Sequence, residues 1–203
     1  MEKILNTYTD NLPKIRCKWL TEDDIYIKYH DEEWGVPIYD DNKLFEFLIL
    51  EGAQAGLSWL TILKKREGYR ELYENFDPLL VANFCDQKKR ILLNDARIIR
   101  NKLKIEASIL NAQAFLEVQK EFGSFSNYIW KFTNNKIIQN KYENHDELPS
   151  KTLLSDKISK ELKERGFKFV GSTIIYAFMQ AIGMINDHLT NCFRYDEVKN
   201  YYE

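Results

Sequence analysis

The sequence predicts an all-α fold, and three observations point there. Polar capping residues repeatedly precede stretches whose apolar residues recur at three- and four-residue spacing. No run shows the apolar–polar alternation of a half-buried strand, and no Asn-Gly or Asp-Gly pair offers a hairpin turn. Four prolines and eight glycines in 203 residues leave little material for long irregular loops.

The elements follow in chain order. Residues 1–15 read as a tail. Thr21, with Asp24 three residues on, makes a weak capping box ahead of DIYIKYHDEEW. Asp41 caps a helix through NKLFEFLILEG, and Ser58 caps one through WLTILKKRE. Asp77-Pro78 places a cap before a proline at the first helical position, where its missing N–H is no loss. Asp86 caps QKKRILLND. A long helix is expected from Arg97 to Val118, with Ile98, Ile105, Ile109, Ala112 and Leu116 on a rough helical period. SNYIWKF is a short helix. The polar stretch Asn134 to Lys151 is the expected loop and could divide the chain into two lobes. Ser155 caps DKISKELKERG, which Gly166 stops. STIIYAFMQAIG follows Gly171 and stops at Gly183. A last helix carries NDHLTNCFRY. The organisation is one helical domain over 16–195 and an acidic tail over 196–203.

Composition excludes several classes. At 44% hydrophobic and 30% charged, the chain is too apolar for disorder. No run approaches the roughly 20 apolar residues of a membrane span, and the start lacks a signal-peptide core. A cytoplasmic, monomeric protein without a membrane partner is expected. The net charge of −2 gives no overall attraction to nucleic acid, so any DNA partner requires basic residues gathered on one face. Three cysteines, Cys17, Cys85 and Cys192, cannot all pair, which suits free thiols, core fillers or metal ligands.

Cys17 and His30 stand early in the chain, His188 and Cys192 late. If His188 and Cys192 lie on a helix, their spacing of four puts both on one face. Two thiolates and two imidazoles form a closed tetrahedral set, the arrangement of structural rather than catalytic zinc. The alternative is a pair of small buried thiols with surface histidines. Cys85 and His145 have no assigned role.

The segment Lys160 to Gly183 reads as helix, short hairpin, helix. The N–H groups of Gly171, Ser172 and Thr173 lie at a helix start, where they can hold a phosphate, with Lys163, Arg165 and Lys168 beside them. Phe167, Phe169 and Val170 pack the hairpin inward. A plain turn between core helices explains the same residues. Arg97, Arg100, Lys102 and Lys104 form a second basic group, and Lys64, Lys65 and Arg66 a third; each also fits a solvated helix face.

The first third is rich in rings: Trp19, Tyr26, Tyr29, Trp34, Tyr39 and Trp59. Glu51 lies three residues from Leu48, four from Phe47 and seven from Leu44, on the apolar stripe of its helix. An inward carboxylate needs a partner or a purpose. A frayed helix end reaching water is one account; a pocket for a flat, cationic or electron-poor ring is the other. Glu46 falls off the stripe and is expected in solvent.

These pieces, in this order, resemble the DNA-3-methyladenine glycosylase I family. The matching strings are RCKW (16–19), YIKYHDEEWGVP (26–37), LFEFLILEGAQAGLSWLTILKKRE (44–67), FDP (76–78), RGFKFVGSTIIYAFMQAIGMINDH (165–188) and Cys192. The resemblance implies a helix-hairpin-helix glycosylase fold with a structural zinc held by Cys17, His30, His188 and Cys192. It implies Glu51 as the catalytic-site carboxylate, and Trp59, Tyr29, Tyr26, Trp19 and Trp34 around the base. It places Gly166, Lys168, Gly171, Ser172 and Thr173 on double-stranded DNA containing alkylated bases. The implied product is free 3-methyladenine. The superfamily's catalytic aspartate is held to be absent from this family, and Asp187, beside His188, is not assigned that role. Thr173 stands where the superfamily's lyases carry lysine, so a monofunctional hydrolase is implied. A non-catalytic zinc-stabilised module that binds alkylated DNA is the alternative.

Overall fold

The computed structural model describes residues 14–200. The tail expected over 1–15 lies outside the described residues, except for Lys14 and Ile15. Among the described residues, helices dominate: α1 (Asp24–Glu32), α2 (Asp41–Gln54), α3 (Trp59–Leu63), α4 (Arg66–Leu72), α5 (Pro78–Ala82), α6 (Asp86–Asn94), α7 (Lys102–Phe122), α8 (Phe125–Trp130), α9 (Leu153–Glu164), α10 (Ser172–Ala181) and α11 (Arg194–Lys199). Two short strands, β1 (Ile138–Gln139) and β2 (Ile185–Asn186), pair in parallel, Ile138 opposite Ile185 and Gln139 opposite Asn186. No helix among the described residues is long and apolar enough to cross a membrane.

Side-chain caps explain most helix starts. Ser58 accepts from the Thr61 N–H at 3.2 Å, and Asp77 from the Leu79 N–H at 2.8 Å, both as expected. Other starts differ from the expectation by a few residues. Asp23, not Thr21, caps α1, and Cys85, not Asp86, precedes α6. Asp40, not Asp41, caps α2. Asp41 is thereby free to accept from the Phe125 and Ser126 N–H groups, each at 2.8 Å, which ties α2 to the start of α8. Asn101 starts α7 after Ile98, later than periodicity suggests, and Gly123 ends it. Thr152 caps α9, with Ser155 as its reciprocal capping-box partner.

The region Asn186 to Tyr195 corrects the sequence reading more deeply. No helix carries NDHLTNCFRY. The Asn186 side chain accepts from the His188 N–H at 3.2 Å and donates to Gln139 Oε1 at 2.8 Å and to the Tyr195 carbonyl at 3.1 Å. A side chain that bonds the local backbone competes with the helical ladder, and here it wins. Helix resumes at Arg194, so part of the expected acidic tail is α11, with Val198 in the core.

α2 forms the centre of the core. Every residue from Leu44 to Ala53 is buried, because α3, α7, α8 and α10 all pack around it. The helix therefore has no wet face, and Glu46, expected in solvent, is 3% exposed. It survives there by pairing. Its carboxylate accepts from Arg66 at 2.6 Å, Arg70 at 2.9 Å and Lys43 at 2.9 Å, and Arg66 also reaches Glu33 at 2.7 Å. Burial alone would raise the Glu46 pKa; Arg66, and then its other cationic partners, outweigh burial and hold it below the usual carboxylate range.

Removing one member of a buried ion pair leaves the other charged and unpaired. Glu46→Ala should therefore cost about 3–5 kcal/mol, read as a loss of urea-unfolding free energy. A loss under about 1 kcal/mol, the range of a surface pair, would show that Arg66 finds water instead.

Candidate functional site

Two constellations share one wall of the molecule. The first is the Cys17, His30, His188, Cys192 set. All four are buried, and their ligand atoms lie within 4.8 Å of one another. They meet although His188 and Cys192 sit in a loop rather than on a helix. Cys192 Sγ lies 3.4 Å from His30 Nε2 and 3.7 Å from His188 Nδ1, and Cys17 Sγ lies 3.7 Å from His188 Nδ1. Metal–sulfur bonds of about 2.3 Å and metal–nitrogen bonds of about 2.0 Å at tetrahedral angles give sulfur–nitrogen edges of about 3.6 Å. The four side chains therefore fit a tetrahedral cation.

The outward nitrogens of both rings are also held. His30 Nδ1 lies 2.8 Å from Asp31 Oδ1, and the Arg16 guanidinium fixes Asp31 through contacts of 2.7–3.0 Å. His188 Nε2 lies 3.1 Å from the Trp34 carbonyl. Such partners fix the tautomer so that His30 offers Nε2 inward and His188 offers Nδ1.

The second constellation is a cavity of about 200 Å³. Segment 19–34 supplies Trp19, Tyr26, Tyr29 and Trp34; α2 supplies Glu51 and Gln54, and the start of α3 supplies Trp59. The rings pack in two groups on the cavity wall. Trp19 packs on Tyr26 and on Trp34, each at 5.0 Å between centroids, and Tyr29 packs on Trp59 at 5.5 Å. Glu51 is 3% exposed, and its Oε2 has no hydrogen-bond partner. Burial pushes its pKa up to about 8. Tyr29 and Tyr26 are raised by burial and then by the nearby Glu51 carboxylate, so both phenols keep their protons. The Trp19 and Trp59 indole N–H groups are also buried without partners. A ring-lined slot in which a buried carboxylate oxygen and two indole N–H groups have no partner has the shape and chemistry to take a flat polar molecule.

The structure brings together all six residues expected around this site. It adds Gln54, His145, Leu148, Ala177 and Gln180 to the lining. Gln54 lies three residues after Glu51, a spacing that could have revealed it. His145 and Leu148 arrive on the loop after β1, which no local pattern predicts.

The hairpin lies beside the cavity. Gly166 adopts φ 95° and turns the chain out of α9, and Gly171 caps α10. Phe167 and Val170 are buried, as expected; Phe169 is half-buried, its Cβ close against Gly52 of α2. Asn111 of α7 clasps the Lys168 peptide from both sides, accepting its N–H at 2.7 Å and donating to its carbonyl at 3.0 Å. The Lys168 side chain and Thr173 are exposed. Ser172 Oγ is instead engaged with Ser155 Oγ at 2.9 Å.

The other basic groups disperse. Arg165 pairs with Glu121 at 2.7 Å. Arg97 is held by Asp95 and Glu71, and Lys104 donates to the Ala53 and Ala55 carbonyls at 2.7 Å each. Lys64 pairs with Asp23, Lys65 reaches the Ala96 carbonyl, and Arg66 is buried with Glu46. Asp95 stands two residues from Arg97, but most of the other partners come from distant segments, so these charges are satisfied within the fold rather than gathered on one face.

Comparison with known proteins matches this architecture. The methyladenine glycosylase family model matches residues 19–195. DNA-3-methyladenine glycosylase 1 of Escherichia coli (strain K12) is 49% identical over 180 residues, covering 89% of this chain and 96% of that protein. A crystal structure of 3-methyladenine DNA glycosylase I superposes with a TM-score of 0.86 at 48% identity, covering 88% of this chain and 98% of that one. A variant of 3-methyladenine DNA glycosylase I solved in complex with 3-methyladenine superposes with a TM-score of 0.85 at 38% identity, covering 88% and 96%. With both the matched segment and the helical architecture in agreement, the chain belongs to the methyladenine glycosylase family.

Proposed function

We propose that the protein is a monofunctional DNA glycosylase that hydrolyses the N-glycosidic bond of 3-methyladenine in alkylated double-stranded DNA, in base excision repair. The observation that carries this is the unpartnered Glu51 carboxyl inside an aromatic slot. 3-Methyladenine is cationic while attached to deoxyribose, and a cation between rings, facing a carboxylate, has the complementary charge. Docking would return Glu51 to its ionised form and supply the missing partner for Oε2.

The damaged nucleotide swings out of the duplex at a cost of a few kcal/mol, lowest at a damaged base. Tyr29 and Trp59 bound the base, with Tyr26, Trp19 and Trp34 closing the slot. Glu51 accepts from the exocyclic amine. The C1′–N9 bond then breaks with its electron pair going to the base, which leaves neutral. Water adds at C1′ and gives up a proton. The leaving group already carries positive charge, so no strong acid is required. Thr173 has no amine with which to form a Schiff base, which suits hydrolysis without lyase chemistry. Gly166, Lys168 and the amides of Gly171, Ser172 and Thr173 hold the DNA backbone without reading sequence.

The Cys17, His30, His188, Cys192 set would hold a structural zinc ion. All four positions are protein ligands, so no site is open for substrate. The ion joins the N-terminal segment to the chain after β2.

Two outcomes test these assignments. Glu51→Gln should lower release of 3-methyladenine from methylated DNA at least tenfold while making the protein more stable, because an uncompensated carboxylate is gone. Glu51 has a folded pKa above its unfolded value. Its cost is absent below about pH 4, grows as pH rises, and is complete above about pH 8, reaching on the order of 5 kcal/mol at most. Denaturant unfolding should show the variant's advantage widening between pH 5 and pH 8; equal stability at all pH would place the wild-type carboxyl in water. Metal analysis should find one zinc per chain, and a strong chelator should lower the melting temperature by 10 °C or more on the order expected for a structural site. A chain that melts identically with and without chelator holds no such ion.

A further inference from the structure

Of the polar side chains that line the cavity besides Glu51, one has its orientation fixed by a buried partner. It is Gln180 of α10, one helical step from Ala177 on the same wall. Its side-chain Nε2 donates to Asp187 Oδ2 at 2.8 Å. Asp187 is 1% exposed and is surrounded by donors: Tyr176 Oη reaches Oδ2 at 2.6 Å, and Asn140 Nδ2 reaches Oδ1 at 2.7 Å. Turning the Gln180 amide over would set its carbonyl oxygen against this carboxylate. The amide is therefore held with its NH₂ end on Asp187, and Oε1 is the remaining acceptor of a side chain that lines the cavity.

We propose that Gln180 is a specificity-determining residue, and that its Oε1, fixed by Asp187, selects 6-amino over 6-oxo purines in the slot. This rests on the glycosylase reading above and adds to it a rule for lesion choice. An adenine-type base carries two N–H donors on its exocyclic nitrogen; a guanine- or hypoxanthine-type base carries an acceptor oxygen there. Glu51 and Gln180 together can accept both hydrogens of the amine. A 6-oxo base instead brings its lone pairs against the Gln180 carbonyl, leaving two acceptors face to face in a dry site. Glu51 alone cannot make this distinction. With its pKa near 8 its carboxyl is able to carry a proton and donate. An amide carbonyl has no proton to give, so the discrimination falls to Gln180. Asp187 is the positioning residue that keeps the amide in that orientation.

The test compares free bases that differ at position 6, 3-methyladenine and 3-methylhypoxanthine, by quenching of tryptophan fluorescence in the intact protein. Release of 3-methyladenine from methylated DNA by the wild type is measured alongside. Wild type should prefer 3-methyladenine. Gln180→Met, which keeps the bulk and removes the carbonyl, should reduce that preference about tenfold, the worth of one hydrogen bond. Asp187→Asn leaves the amide free to turn and should lower the same ratio, with metal content checked because His188 is adjacent. Circular dichroism verifies folding, and Gln180→Ala serves if the methionine variant does not fold. A ratio held at the wild-type value in a folded variant overturns the proposal. No release by wild type overturns the glycosylase reading itself and is a separate result.

Discussion

A carboxyl buried without a partner is the constraint around which this molecule is arranged. α2 carries two acids of equal burial five residues apart, Glu46 and Glu51, and treats them oppositely. Glu46 is surrounded by Arg66, Arg70 and Lys43, and its charge is retained inside the core. Glu51 faces a cavity lined mostly by rings, no cation among the described residues lines it, and its Oε2 has no partner. Leaving Glu51 bare costs stability, and the cost is recovered only when a cation or a set of N–H donors enters the slot. A neutral base without donors would gain from the rings but leave that cost in place.

The metal cluster and the slot are two sides of one structure. Cys17 lies two residues before Trp19, and His30 directly follows Tyr29. The His188 ring packs on Trp34 at 4.5 Å between centroids, and the Trp34 carbonyl holds its Nε2. Three of the four residues are thus attached, through the chain or through contact, to a ring of the slot. A cation held by the four would close a loop between Cys17 and Cys192 and so constrain the unfolded chain. It would also fix the backbone of segment 17–34, where four of the aromatic walls originate. Loss of the cluster would be felt first in the shape of the slot.

Much of this was legible in the sequence, and the exceptions have common causes. The four Cys and His positions were identifiable as one set because the chain offers so few such residues. The helix invoked for His188 and Cys192 does not exist; Asn186 diverts the backbone, and a loop brings the two together instead. Glu51 was readable from the apolar stripe of α2, whereas Glu46 was not. A stripe argument assumes one wet face, and α2 is enclosed on all sides. For the basic groups around Arg97 and Lys64, spacing left a patch and a solvated face both open; apart from Asp95 beside Arg97, most of the acids and carbonyls that hold them come from distant segments, which local spacing does not reveal. Gln180 and His145 were missed because their approach to the slot is set by how α10 and the loop after β1 dock.

The hairpin and the slot are joined rigidly rather than by proximity alone. Phe169 seats its Cβ against Gly52, the residue after Glu51, where any larger side chain would push the two apart. Asn111 holds the Lys168 peptide by both its N–H and its carbonyl, and seven residues earlier on the same helix Lys104 holds the Ala53 and Ala55 carbonyls. α7 therefore fastens the hairpin and the turn that leads from Glu51 to Trp59 to one rod. An anchor that grips the DNA backbone without regard to sequence supplies affinity but no choice. A slot that chooses the base gains nothing unless the base is delivered at a fixed distance from the strand. On the proposed function, mounting both on α7 turns non-specific grip into placement, because the backbone position then determines where C1′ stands relative to Glu51.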